Sequence, residues 1–379
     1  MQSQSGVWAS PASHLVKSQP DQPVLFLSPG TLQATARAFQ SGFPGLVTYA
    51  VKANPHPTVL ENLVAAGLTA FDVASPPEMQ AVRAACPTAA LHYNNPVRSE
   101  AEIAAGQAFD VTSWSVEGAD ELDKLRHIVR NSEIAVRFKL PVPGAAYDFG
   151  EKFGATPEIA AGLLREVAAR GHTPALTFHP GTQCEDARAW AIYIEEAARI
   201  ADTAGVRIAR LNVGGGFPAD RGLAPVDLQE MFDTIGAASR RAFARNMPEL
   251  VCEPGRAMVS DAFTLATRVK AVRSGGTVFL NDGIYGGLSD LRDTGLNLRV
   301  RFISADGTPR TGLPQARPVF GPTCDSLDRL PDGLALPDDL AEGDYVLFDG
   351  MGAYSLSLST GFNGYGIHDI ETVLRLSGH

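Results

Sequence analysis

Between Val47 and Glu253 eight short β-branched or apolar runs alternate with longer Ala-, Leu- and Glu-rich stretches, one unit shading into the next without a break. The strand-like runs are LVTYAV ending at Lys52, TAFDVA through Asp72, AALHY to Tyr93, FDVTSW to Trp114, IAVRFKL to Leu140, PALTFH to His179, IARLNV before Gly214 and ELVCE to Glu253. Between them, segments such as Thr58–Ala66 and Glu185–Thr203 have helical period. Eight uninterrupted units predict a (β/α)8 barrel over residues 27–260, in which functional residues gather at the carboxyl ends of the strands. The competing architecture is an open doubly wound sheet, which the same alternation permits and which would bind ligands at a switch point. In the barrel, Lys52, His179, Gly214–Gly216 and Glu253 converge on one mouth.

A chain of 379 residues is longer than one barrel needs. After Asp261 helical period gives way to β-branched runs, AFTLATRV, TVFLND, LNLRVRF, RPVFG and DYVLF, separated by Gly, Pro and Asp turns. Residues 261–379, with part of 1–26, therefore read as a second, all-β domain, joined to the barrel near Val259–Ala262. Four cysteines without metal-type spacing suit a reducing compartment. The N-terminus has no basic segment leading into an apolar one, and no apolar run approaches a membrane span, so a soluble cytoplasmic protein is expected. A formal charge of −10 disfavours nucleic acid as a partner and is compatible with cationic small molecules.

Each chemically suggestive residue has a plainer reading beside it. Lys52 is a Schiff-base candidate, since an ammonium held among apolar groups loses charge readily, or else a lysine that reaches past a strand end to solvent. The Gly214–Gly216 triplet lets backbone N–H groups approach phosphate oxygens at the position after the seventh strand, or makes a tight turn. Glu253-Pro-Gly-Arg256 offers a carboxylate for a protonated ring nitrogen and the Gly255 amide for a phosphate, or a structural Glu–Arg pair. His179 stacks on a planar ligand, shuttles protons, or is hydrogen-bonded structure; with His172 it makes no convincing metal site, and no metal is expected. In the second domain Cys324 could donate a proton and Asp325 receive a cationic group, or the pair could be a buried thiol beside a turn aspartate. The segment from Gly350 to Tyr354, with Phe362 after it, adds a phenol and an aromatic surface.

Taken together, YAVKANP, FDVAS with Glu78, KFGAT, FHPGTQ, GGGFP, CEPGR, NDGIYGG, FGPTCDSLD, and GMGAY with FNGY, in order from Tyr49 to Tyr365, resemble the fold-type III pyridoxal-phosphate decarboxylases. That group contains the ornithine, diaminopimelate and biosynthetic arginine decarboxylases, and shares the alanine racemase-like pairing of a TIM-type barrel with a β-domain. The ornithine branch fits best. The resemblance implies pyridoxal 5'-phosphate carried by Lys52, with His179 on the pyridine face and Glu253 at the ring nitrogen. Gly214, Gly215, Gly216, Gly255, Arg256 and Tyr354 are implied to cradle the phosphate, Thr182 to keep a hydroxyl donor where many relatives have serine, and Asp72 and Arg137 to support Lys52 and the ring. It further implies a homodimer with shared active sites, Cys324 and Asp325 entering from the partner.

The implied reaction is decarboxylation of a cationic L-amino acid, first L-ornithine to putrescine in polyamine biosynthesis, then L-lysine to cadaverine. Racemases that resemble this fold place an arginine at the ring nitrogen, so Glu253 argues against racemisation. Tyr285, Asp325 and Phe362 are the expected substrate contacts. The segment LSDLRDTG departs from many eukaryotic-type ornithine enzymes, whose aromatic-Asp pair falls here on Asp293-Thr294, so Asp290 and Asp293 join the candidates. The alternatives are a decarboxylase of conjugated diamino acids in siderophore or antibiotic synthesis and a non-catalytic regulatory homologue; diaminopimelate enzymes usually carry Cys-Glu where this chain has Cys324-Asp325.

Overall fold

The computed structural model describes residues 6–142, 152–222, 226–295, 299–367 and 369–377. They form two compact units, one comprising Thr35–Pro218 with Val226–Met258, the other the described residues before Thr35, those just after Pro218, and those from Val259 onward.

The first unit is built on a parallel sheet running Leu46–Val47, Glu249–Cys252, Arg210–Asn212, Thr173–Thr177, Glu133–Arg137, Val111–Val116, Ala90–Tyr93, Ala70–Val73 and Tyr49–Ala50. Its first and last members are halves of one run interrupted at Thr48, whose N–H (2.9 Å) and Oγ1 (3.0 Å) both donate to the Cys252 carbonyl. The nine paired segments are thus eight runs, and the sheet returns to the run it starts from. This is the (β/α)8 barrel; the open doubly wound sheet is excluded.

Several strands end earlier than their apolar runs. The run to Leu140 is ladder only over Glu133–Arg137, the run to His179 only over Thr173–Thr177, and Lys52 lies on a single 3-10 turn, Val51–Ala53. Prolines follow closely, at Pro55 and Pro180, and a residue without an N–H cannot extend a ladder. The lost residues become the loops of the barrel mouth.

Helices Pro57–Ala65, Pro76–Ala85, Glu100–Ala108, Ala119–Lys124, Pro157–Ala169, Arg188–Ala204 and Leu228–Phe243 fall between the strands. Proline opens three of them, where its missing N–H costs nothing. Ser99 and Glu102 form a reciprocal cap on a fourth. Helix Arg188–Ala204 buries Trp190, Ile194, Ala197 and Ala201, one stripe at helical spacing. Trp190 stacks on Phe217 at 5.0 Å, and Phe217 meets Phe39 and Phe232 edge-on at 5.7 and 5.8 Å.

The barrel interior is polar. Arg210 reaches Glu133 at 3.5 Å although the strand Thr173–Thr177 lies between theirs, so the contact crosses the interior. At the other end the parallel register sets Arg137, Thr177 and Asn212 in one row. Among the described residues no helix is long and apolar enough to cross a membrane.

The second unit is a mostly antiparallel sheet in the order Val300–Ile303, Tyr345–Asp349, Phe263–Val272, Val24–Leu27, Asp369–Thr372. Val278–Leu280 branches from Phe263–Val272 and pairs with Val319–Phe320. The β-branched runs after Asp261 supply five of these strands. Val24–Leu27 escapes local reading because all four of its residues are buried and no alternation marks it. Nearby, Leu15, Phe26, Tyr345 and Leu347 form an apolar core on which Trp8 packs.

Candidate active site

The mouth of the barrel encloses a cavity of about 250 Å³ lined by Lys52, Asp72, Asn94, Arg137, His179 and Glu253, with Lys152 and Phe153 at its edge. Three cations, Lys52, Arg137 and Lys152, face two carboxylates, Asp72 and Glu253. In a chain of net charge −10 this local excess of positive charge suits an anionic ligand. Lys52 is exposed rather than enclosed among apolar groups, which corrects the expectation of a desolvated amine. Its 3-10 turn projects it past the ladder into polar company.

Glu253 is only 9 % exposed and its Oε1 receives both Asn94 Nδ2 and Asn212 Nδ2. Burial, reinforced by the nearby Asp72 carboxylate, pushes its pKa up to about 8 against the pull of Asn212, Lys52 and Arg137. Asp72 is likewise raised by burial, opposed by Lys52, Asn94 and Arg137. Glu78, which accepts the Ala74 N–H at 2.7 Å, is pushed up to about 7, chiefly by burial. His179 is held neutral: desolvation first, then Lys52 and Arg137, push its pKa well down. Its Nδ1 accepts the Gly181 N–H at 3.0 Å, which puts the ring proton on Nε2.

The glycine triplet is required by packing as well as by any ligand. Gly214 has φ +72° and an added Cβ would meet the Phe178 carbonyl oxygen at 2.2 Å. Gly216 has φ +84° and the Gly181 carbonyl oxygen at 2.2 Å, while a Cβ on Gly215 would lie 2.6 Å from the Glu253 backbone carbonyl oxygen and 3.3 Å from His179 Nε2. The loop therefore lies flat against the strand ends carrying His179 and Glu253. Gly255 is nearly as tight, 3.2 Å from the Ala53 Cβ, and Arg256 opens the short helix Arg256–Val259. Thr182 is half-buried on the loop after His179. Gly214→Ala is expected to cost about 2–4 kcal/mol through strain and clash. That lowers the thermal midpoint by roughly 5 °C or more. Gly162→Ala, on a helix with open space around it, should leave the midpoint unchanged or raise it. Equal midpoints for the two variants would contradict this account.

The second unit holds its own cluster. Tyr285 donates its hydroxyl to Asp325 Oδ2 at 2.5 Å, the Leu327 N–H donates to Asp325 Oδ1 at 2.9 Å, and Phe362 lies 5.1 Å from the Tyr285 ring. These two donors hold the Asp325 carboxyl below its ordinary pKa. Cys324 is exposed, not a buried thiol, and its N–H donates to Asn363 Oδ1 at 3.0 Å. Asp293 is engaged by Arg292 through two 2.9 Å bonds, while buried Asp290 accepts from Thr294 Oγ1 at 3.1 Å. Tyr354 is half-buried with φ +67°.

Residues 30–260 match the family model of the pyridoxal-dependent decarboxylase, pyridoxal binding domain. The chain belongs to the pyridoxal-dependent decarboxylases. It is 32 % identical over 374 residues to the chloroplastic ornithine decarboxylase of Nicotiana glutinosa, covering 93 % of this chain and 84 % of that one. It is also 32 % identical over 330 residues to the lysine/ornithine decarboxylase of Selenomonas ruminantium, covering 84 % and 81 %. The crystal structure of the Paramecium bursaria Chlorella virus arginine decarboxylase superposes with a TM-score of 0.85 at 26 % identity over 94 % of this chain and 98 % of that one.

The cofactor of this decarboxylase is pyridoxal 5'-phosphate, and the barrel mouth fits it. The cavity supplies an amine and an excess of positive charge, and beside it the side-chain-free loop Gly214–Gly216 packs on the backbone of Phe178, Gly181 and Glu253. Local sequence reading passed over Asn94 and Asn212, both seated on Glu253. The signal for Asn212 is a lone amide in an apolar strand two residues before a glycine triplet; Asn94, in an Asn-Asn-Pro loop, carries none.

Proposed function

We propose that this enzyme removes the α-carboxylate of a small cationic L-amino acid, with ornithine first and lysine second, giving putrescine or cadaverine. The observation that carries the reading is the meeting of Lys52, Asp72, Arg137, His179 and Glu253 in one cavity of a pyridoxal-dependent decarboxylase. When bound, pyridoxal phosphate supplies an electron sink for the pair left behind as CO2 departs. Lys52 would hold the cofactor through its amine and release it to the amine of the substrate. Glu253, its Oε1 held by Asn94 and Asn212, would accept a hydrogen bond from the protonated ring nitrogen. His179, uncharged, would pack against the cofactor ring without adding a positive charge there. The Gly214–Gly216 loop, Gly255, Arg256 and Thr182 would hold the phosphate, and the family resemblance adds Tyr354.

In this reading the working unit is a homodimer. Cys324 of one subunit returns a proton to Cα in its partner's site, and Asp325, kept ionised by Tyr285 and Leu327, receives the distal ammonium. The names of the relatives, ornithine, lysine/ornithine and arginine decarboxylases, support a cationic substrate. Four free thiols support a reducing, cytoplasmic setting.

A charge-assisted bond to a desolvated ammonium contributes roughly 1.5–3 kcal/mol, about ten- to a hundredfold in preference over an uncharged side chain. Mass spectrometry of products over ornithine, lysine, arginine and diaminopimelate should therefore give putrescine most rapidly and cadaverine next. Turnover of a citryl- or carrier-linked amino acid, with none of ornithine or lysine, would replace this reading by the conjugate decarboxylase.

A further inference from the structure

We propose that Asn94 is a positioning residue for the reaction, its amide joining Asp72 to Glu253 across the barrel mouth and leaving Glu253 Oε2 as the oxygen available to the cofactor's ring. The inference rests on the reading of Glu253 as the ring's partner. Asn94 follows the strand Ala90–Tyr93 and Glu253 follows Glu249–Cys252; the runs Ala70–Val73 and Leu46–Ala50 separate them around the sheet. Their hydrogen bond can form only across the opening. Asn94 also donates to Asp72, so its NH2 group serves two buried carboxylates that otherwise repel one another. Its Oδ1, buried, has no partner among the described residues, so donation accounts for its place.

Asn212 approaches Glu253 from the neighbouring strand, and its own orientation is fixed because its Oδ1 accepts the Gly214 N–H at 2.9 Å. Both amides engage Oε1. The turn presenting Asn94 is anchored by Arg98, 2 % exposed, which donates to the carbonyls of Tyr93 (3.3 Å), Asn95 (2.8 Å) and Ser115. Arg98 also lies over the rings of Tyr93 and Trp114 at 5.2 and 5.6 Å. Asn94 is thus held from below by a rigid cation and cannot follow Glu253 if that side chain moves.

The charged and titratable groups facing Glu253 are Lys52, Asp72, Arg137 and, alongside, Cys252. Removing the Asn94 donor leaves Asp72 and Glu253 unscreened from each other and makes Glu253 compete for the ring proton. The test uses the full-length holoenzyme carrying cofactor labelled with 15N in the ring, read by NMR, with kcat measured in parallel. Asn94→Ala should keep full cofactor content, shift the ring nitrogen toward its unprotonated position, and lower kcat about 10- to 100-fold. Asn94→Asp, of the same size but a third carboxylate, should do both more strongly, and Asn94→Ser, with a shorter donor, less. An unchanged ring-nitrogen signal in all three variants overturns the proposal, even if activity falls. A ring that stays protonated in Glu253→Gln would instead overturn the reading of Glu253, which is a separate result.

Discussion

Glu253→Gln is expected to lower kcat by about a hundred- to a thousandfold while leaving cofactor content and its visible absorption band in place. Glutamine matches glutamate in size and remains between Asn94 and Asn212, so the cavity should keep its shape. An amide, however, cannot hold a proton on the ring nitrogen, and a neutral pyridine is a poor sink for the electrons released with CO2. The loss should fall on kcat and kcat/KM alike, because the interaction matters most once charge has developed. A loss under tenfold would place the ring nitrogen against some other group.

Mixing two crippled variants tests the shared active site. On the reading proposed above, Lys52→Ala removes the attachment point in the barrel unit and Cys324→Ala the proton donor in the β-unit of a homodimer, so each variant alone should lose nearly all amine formation. In a hybrid, both defects fall on one site and the other is intact. Random exchange of equal amounts makes half the dimers hybrid, so recovery should reach about a quarter of the wild-type rate. Mass spectrometry confirms the exchange, and amine release measures recovery. Verified hybrids that stay inactive would show that Lys52 and Cys324 serve the same site from one chain. Cys324→Ala alone should also divert turnovers to an aldehyde and the aminated cofactor, since CO2 loss needs the ring but not the thiol.

Much of the fold was legible because its signals are local. Strand runs of buried length, helical stripes such as Trp190–Ala201, and prolines and glycines at the breaks are written into neighbouring residues. The same locality placed Lys52, His179 and Glu253 after strands and hence at one mouth. It overextended the runs to Leu140 and His179, because apolar residues continue past the point where ladder bonding ends. It also made Lys52 a desolvated amine, whereas the 3-10 turn Val51–Ala53 carries it out among polar groups.

By itself the sequence determined the eight-fold alternation, the β-rich remainder and which residue types stand at the strand ends, since period, propensity and turn chemistry act over a few positions. Only the tertiary structure decided that the first run splits at Thr48 to meet both its neighbours, and that Val24–Leu27 pairs with Phe263–Val272 some 240 residues away. Only there, too, do Asn94 and Asn212 meet on one oxygen of Glu253, and Tyr285 and Phe362 gather beside Asp325. These contacts depend on how far the sheet curves before it closes and on which distant strands share a ladder. Those quantities are set by packing over the whole domain, and no short stretch of sequence encodes them.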